Sequence, residues 1–178
     1  MYEVELKVAA DHETVRSRLE TLGAERTRHV VQTDTYYDAP HRDFAETDEA
    51  LRVRRERGGD GVTVRLTYKG PLVEAASKTR REFETAVTDP DAIEGILEGV
   101  GFSPAFTVEK DRTFYRYDDY TVTLDDVTDL GEFVEVETEA EAVEPARDGA
   151  VAVLRELGLN PDEQIRTSYL GLLLDTPE

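Results

Sequence analysis

Apolar and polar residues alternate one for one through most of this chain. The alternation gives way only where apolar residues recur every three or four positions. It begins at once: in EVELK, residues 3–7, Val4 and Leu6 fall on one face of a strand and Glu3, Glu5 and Lys7 on the other. The same period predicts strands over 2–9, 28–38, 51–56, 62–70, 78–87, 106–117, 120–127 and 132–139. GGDG, residues 58–61, joins two of them as a hairpin, and residues 38–50 read as a polar loop. Helical spacing appears after Asp11 (Val15, Leu19, Leu22, then Gly23) and after Asp89 (Ile93, Leu97, Val100, then Gly101). It appears again after Pro145 (Val151, Leu154, Leu157, then Gly158). A last helix is predicted over roughly 162–174, with Ile165, Tyr169 and Leu172 on one stripe.

The pattern echoes itself. Glu3-x-Glu5, a helix, Gly23 and Thr35-Tyr36-Tyr37 are matched by Glu82-x-Glu84, a helix, Gly101 and Thr113-Phe114-Tyr115. A weaker third copy runs from Glu135-x-Glu137 through a helix to Gly158. Repeated strand–helix–strand units point to one duplicated domain spanning residues 1–178.

Where the charged strand faces point decides the architecture. On any single strand, a solvated face is the simpler reading. Here the helices are amphipathic and need the apolar strand faces as their cover. The charged faces are also sorted by sign: Arg52 with Arg54 and Lys110 with Arg112, against Glu3 with Glu5 and Glu135 with Glu137. Both features predict an α+β fold, an eight-stranded antiparallel β-barrel with a charged tunnel inside and helices packed outside.

Composition sharpens this. The 178 residues carry 40 acidic and 21 basic side chains, a net charge of −19. Such a field repels nucleic acid and anionic membranes, and it predicts a surface adapted to high salt, as in a halophilic archaeon. No apolar run approaches the roughly 20 residues of a membrane helix, and no basic-then-apolar leader precedes the first strand. Cysteine is absent. A cytoplasmic protein is expected. Of the basic residues 17 are Arg and only four are Lys (Lys7, Lys69, Lys78 and Lys110), each in a predicted strand. The four survivors mark positions where a compact ammonium is needed.

Carboxylates and cations facing each other in a tunnel suit a polyphosphate–metal complex. Carboxylate oxygens hold hard divalent ions, and Arg and Lys pair with phosphate oxygens. The E-x-E-x-K of Glu3, Glu5 and Lys7 resembles the signature of the CYTH, or triphosphate tunnel metalloenzyme, superfamily. The blocks 32–55 (QTDTYYDAPHRDFAETDEALRVRR), 68–71 (YKGP), 78–84 (KTRREFE), 124–137 (LDDVTDLGEFVEVE) and 168–174 (SYLGLLL) follow in that family's order and are most similar to class IV (CyaB-type) adenylate cyclases.

The resemblance implies Mg²⁺ or Mn²⁺ held by Glu3, Glu5, Glu135 and Glu137, with Asp125 as a further ligand and Asp126 as its alternative. It implies triphosphate binding by Lys7, Arg52, Arg54, Lys69, Arg80, Lys110 and Arg112. Glu82 and Glu84 would form the wall or touch a second metal. Glu3, Glu5, Lys7, Glu135 and Glu137 are the expected catalytic set. The expected function is cyclisation of ATP to 3′,5′-cyclic AMP and pyrophosphate; the alternatives are hydrolysis of a triphosphate (tripolyphosphate, thiamine triphosphate or a nucleoside triphosphate) and binding of a nucleotide or polyphosphate without turnover. Tyr36 and Tyr37 read as barrel packing, with contact to nucleotide or a phosphate as the alternative. Arg55, Arg57 and Arg81 read as outward, Glu139 as solvated, and the three histidines lack metal-site spacing. The apolar YLGLLL either caps the barrel or forms a homodimer contact.

Overall fold

The computed structural model describes residues 1–175; the last three residues of the expected domain lie outside them. Nine strands form one antiparallel sheet: β1 (Tyr2–Ala9), β2 (Glu25–Asp38), β3 (Ala50–Gly58), β4 (Gly61–Lys69), β5 (Lys78–Arg80), β6 (Glu82–Ala86), β7 (Ser103–Tyr117), β8 (Tyr120–Val127) and β9 (Gly131–Ala140). Their order is β5-β1-β9-β8-β7-β2-β3-β4-β6. β5 and β6 are the predicted strand 78–87, split at Arg81. Its first half pairs with β1 and its second with β4. One stretch of chain thus joins the two edges of the sheet, so the nearly closed barrel has eight staves although nine strands are counted.

Three helices cover the outside: α1 (His12–Thr21), α3 (Pro90–Gly99) and α4 (Val143–Glu156), with a short α2 (Phe44–Thr47) between β2 and β3. Asp11 and Asp89 cap α1 and α3, their carboxylates accepting from Thr14 and Ala92 amides. Both helices end at a left-handed glycine, Gly23 at φ 74° and Gly101 at φ 99°, where a side chain would be strained. The echo in the sequence is therefore structural: β1–α1–β2 and β6–α3–β7 are parallel constructions, and their second strands pair with each other.

α1 and α4 bury Val15, Leu19, Val153 and Leu154 against Leu6, Val8, Val122, Leu124, Val134 and Val136. α3 sets Leu97 against Tyr37, Val53 and Val64. The alternating strand pattern is resolved: apolar positions lie under the helices, and the alternate positions line the tunnel. Each fully buried Leu or Val contributes roughly 1.5–3 kcal/mol relative to exposure.

The sequence-based expectation departs from the structure in three places. Residues 38–50 contain α2, capped by Asp43 accepting from the Ala45 amide. α4 starts at Val143, with Pro145 inside its first turn, where a missing N–H costs nothing. The last predicted helix is a short 3₁₀ turn (Pro161–Glu163), an extended strap and a seven-residue helix, α5 (Tyr169–Asp175). The strap is pulled out of helical shape by partners elsewhere. The Ile165 amide donates to the Lys7 carbonyl at 2.7 Å, and Gln164 Nε2 donates to the Ala76 carbonyl at 2.8 Å. Tyr169 then packs with Val108, Val127 and Phe133, with Ile165, Leu170, Leu172 and Leu173 around them. Within the chain, Tyr169, Leu170, Leu172 and Leu173 of YLGLLL pack on the barrel in this cluster. Among the described residues no helix is long and apolar enough to cross a membrane.

Candidate active site in the tunnel

A cavity of about 1200 Å³ runs through the barrel. Glu3 and Glu5 from β1 and Glu137 from β9 meet in its wall, with carboxylate oxygens within 4.8 Å of one another. The register brings them together, since Glu5 faces Glu137 and Glu3 faces Glu139 across the β1–β9 ladder.

These three acids have different surroundings. Burial alone would raise Glu5, but Lys78 at 2.9 Å and Lys69 outweigh it and hold the carboxyl at about 2. Glu3 shares Lys69 with Glu82, at 3.1 and 3.0 Å, and burial pushes its pKa up. Glu137 has neither an ion pair nor a hydrogen bond among the described residues. Burial first, then the charges of Glu3, Glu5 and Glu135, push it to about 8. Three converging carboxylates, one without a partner, fit the oxygen ligand set of a hard divalent cation.

The cations also divide. Arg54 gives Nε and Nη2 to Asp34 at 2.7 and 2.8 Å. Lys110 lies 3.6 Å from the same carboxylate, which is fully buried and held far below the usual Asp range. Arg112 gives Nε and Nη2 to Asp125, Nη2 to Glu135 at 2.8 Å and Nη1 to Gln32. Arg80 donates to the Gly70 and Asp48 carbonyls. Arg52 is different: its nearest carboxylate oxygen, on Asp34, is 3.8 Å away, and its buried Nε has no acceptor. Arg52 therefore presents positive charge to the cavity with the least internal competition, whereas Lys69 is shared between Glu3 and Glu82.

Lys7 sits beneath the strap. Its ammonium donates to the Thr167 carbonyl and lies 4.2 Å from the centre of the Tyr169 ring. Desolvation lowers its pKa to about 7, as it does for Lys110. Asp125 points inward and Asp126 outward. Asp125 stands apart from the three-carboxylate cluster, accepting from Arg112 and from the Tyr169 hydroxyl at 2.7 Å. Glu135 is one rung deeper than Glu137 and turned to Arg112. Glu82 and Glu84 line the cavity, Glu84 taking Arg65 and Thr67.

All four lysines project into the barrel. Asp34, Gln32 and Tyr169 are among the buried polar residues that sequence reasoning had not assigned to the tunnel. For Asp34 and Gln32 a signal existed, since they share strand parity with Tyr36 in QTDTYYD. Tyr169 carried none, because the strap's path depends on partners distant in sequence.

The CYTH domain family model matches residues 1–169. The chain is a CYTH protein. A relative from Methanocaldococcus jannaschii, named "putative adenylate cyclase", is 36% identical over 176 residues, covering 97% of this chain and 98% of its own. A solved protein of Pyrococcus horikoshii is 39% identical, with TM-score 0.91 over 97% of this chain and 98% of that one. A Hippeastrum protein shares the fold at 17% identity (TM-score 0.71, 97% and 94% covered). It is described as a putative adenylyl cyclase with a dominant triphosphatase activity.

Proposed function

We propose that this CYTH protein is a metal-dependent cyclase that converts ATP to 3′,5′-cyclic AMP and pyrophosphate. In this reading residues 1–178 work as one domain in the cytoplasm. One observation carries it: a half-buried carboxylate without a cation (Glu137) and a buried guanidinium nitrogen without an acceptor (Arg52 Nε) line the same cavity. A triphosphate with its divalent ion supplies what each lacks. Glu3, Glu5 and Glu137 would hold Mg²⁺ or Mn²⁺, which when bound polarises phosphate oxygens as a Lewis acid.

The chain's own residues do the rest. Arg52 neutralises the phosphate chain directly, and Lys69, shared between Glu3 and Glu82, adds its charge from the same wall. Arg54, Arg80, Lys110 and Arg112, fixed by protein acceptors, hold the tunnel's positive potential in place without reorganising. Glu135 and Asp125 set the position of Arg112. The barrel wall keeps bulk water from the reacting phosphorus. The ribose 3′-oxygen passes its proton to solvent water and bonds to the α-phosphorus. The bond from that phosphorus to the bridging oxygen breaks, its electron pair leaving with pyrophosphate among the tunnel cations.

Triphosphate hydrolysis is the second reading, supported by the activity described for the Hippeastrum protein on the same fold. The same residues would serve it, with water in place of the ribose oxygen. Incubation with Mg²⁺ or Mn²⁺ and either ATP or tripolyphosphate, in molar KCl, separates the two. Cyclic AMP with pyrophosphate is expected. Orthophosphate as the only product, with tripolyphosphate turned over faster, replaces the cyclase with the hydrolase. No turnover of either sinks both.

A further inference from the structure

A guanidinium has five N–H donors and keeps its charge, so the partners of Arg112 can be counted. Nε donates to Asp125 Oδ1 at 2.5 Å. Nη2 donates to Asp125 Oδ2 at 3.1 Å and to Glu135 at 2.8 Å. Nη1 gives one N–H to the side-chain oxygen of Gln32 at 3.2 Å. Four donors are used. The second N–H of Nη1 has no acceptor among the described residues, and Arg112 lines the tunnel cavity.

Gln32 is the neutral member of that set, and an amide can turn over in place, offering N–H groups where its oxygen stood. Glu56, opposite Gln32 on the β2–β3 ladder, prevents this. Gln32 Nε2 donates to Glu56 Oε2 at 2.7 Å, and Arg28 donates to the other carboxylate oxygen. Burial opposes the charge on Glu56, but the bonds from Gln32 and Arg28 outweigh it and hold the carboxyl below its ordinary range. An ionised carboxylate only accepts. The amide therefore has one way round, N–H groups to Glu56 and oxygen to Arg112. Reversed, it would set like against like at both ends. Gln32 is 1% exposed, so solvent has no access to repair either mismatch.

We propose that Gln32 and Glu56 are positioning residues for a bound triphosphate: Glu56 orients the Gln32 amide, the amide occupies one N–H of Arg112 Nη1, and the other N–H is thereby aimed at a phosphate oxygen. The inference rests on the triphosphate reading of the tunnel and adds the group that aims one of its cations. Neither residue needs to touch the ligand. The chain starts near solvent, where the Arg28 side chain is half exposed, and ends on a buried guanidinium. A donor fixed in this way has no turning to do when the anion arrives.

Calorimetric titration with inorganic tripolyphosphate and Mg²⁺, in molar KCl, tests this. The temperature is kept below the lowest melting point of the set, read from thermal melts of each protein. Gln32→Met fills the space and removes both bonds, and affinity should fall about tenfold. Glu56→Gln keeps the shape but lets the Gln32 amide turn over, and a fall of about threefold or more is expected. Glu56→Gln changes a partly exposed side chain and carries the test alone if Gln32→Met does not fold. Combining Gln32→Glu with Glu56→Gln puts an obligate acceptor against Arg112 and a donor behind it. That pair should recover affinity to within about twofold of wild type. Single variants that bind like wild type overturn the proposal, even if their melting points fall, since that result assigns the pair to stability alone. A double variant no better than Glu56→Gln also overturns it. Failure of wild type to bind tripolyphosphate overturns the triphosphate reading itself.

Discussion

Glu137 is the residue on which metal, charge and pH meet. With burial and three neighbouring carboxylates pushing it to about 8, it keeps its proton in the metal-free fold across most of the neutral range. A carboxyl of the unfolded chain loses its proton near 4.5. Between these values the folded state binds more protons, so Glu137's contribution to stability falls as pH rises from about 4.5 to 8. A bound divalent ion removes the reason for the shift. Metal should therefore raise the melting temperature more at pH 8 than at pH 5. Glu137→Gln should match or exceed the stability of wild type at pH 8 without metal and lose most of the metal-induced rise. Thermal melts of both proteins at the two pH values, with and without Mg²⁺, check this. An equal metal-induced rise in the variant would remove Glu137 from the ligand set. The opposite case is Glu5, held at about 2 by Lys78 and Lys69: its contribution is present above about 4.5 and lost only in acid.

Among the elements, the strap and α5 do most to shape the site. Tyr169, at the start of α5, reaches Asp125, and Asp125 in turn fixes Arg112. The hydroxyl thus satisfies a fully buried carboxylate, a bond worth about 1.5–3 kcal/mol when one partner is charged. Tyr169→Phe keeps the ring over Lys7 and Lys110 but removes that donor. A loss of that size in urea unfolding is expected. An unchanged midpoint would mean that the strap holds by apolar packing alone. Elements also show what the sequence could tell. β1, α1, α3, β8 and β9 were legible because apolar spacing, Asp caps and terminal glycines all agreed. Glu3, Glu5 and Glu137 were legible because strand parity places them on one face. The strap was not, because apolar spacing at Ile165, Tyr169 and Leu172 fits a helix equally well. Its geometry is set by Lys7 and Ala76, partners far away in the chain. For the same reason the sequence did not reveal which cations are already engaged. Arg52 and Arg54 look equivalent in LRVRR, and only Asp34, on another strand, separates them.

On the scale of the whole molecule, the barrel separates two electrostatic regimes. Outside, acidic residues dominate and give the net charge of −19. Inside, nearly every buried charge has an opposite partner, an arrangement that stabilises only while its geometry is kept, since an orphaned buried charge costs several kcal/mol. A polyanion approaching this surface meets repulsion that salt screens, and attraction only once it enters the tunnel.

The inward placement of every lysine has a practical consequence. A protease that cuts only after lysine finds no accessible bond in the folded chain, because all four side chains project into the barrel from hydrogen-bonded strands. Cleavage by such an enzyme should proceed only through opening of the barrel, giving a direct clock for unfolding. A trypsin-like enzyme, free to use exposed arginines such as Arg57, should nick the native protein first. Limited digestion with the two enzymes side by side reads the difference. Early lysine-specific fragments from native protein would mean that the barrel breathes at the seam where β5 meets β1.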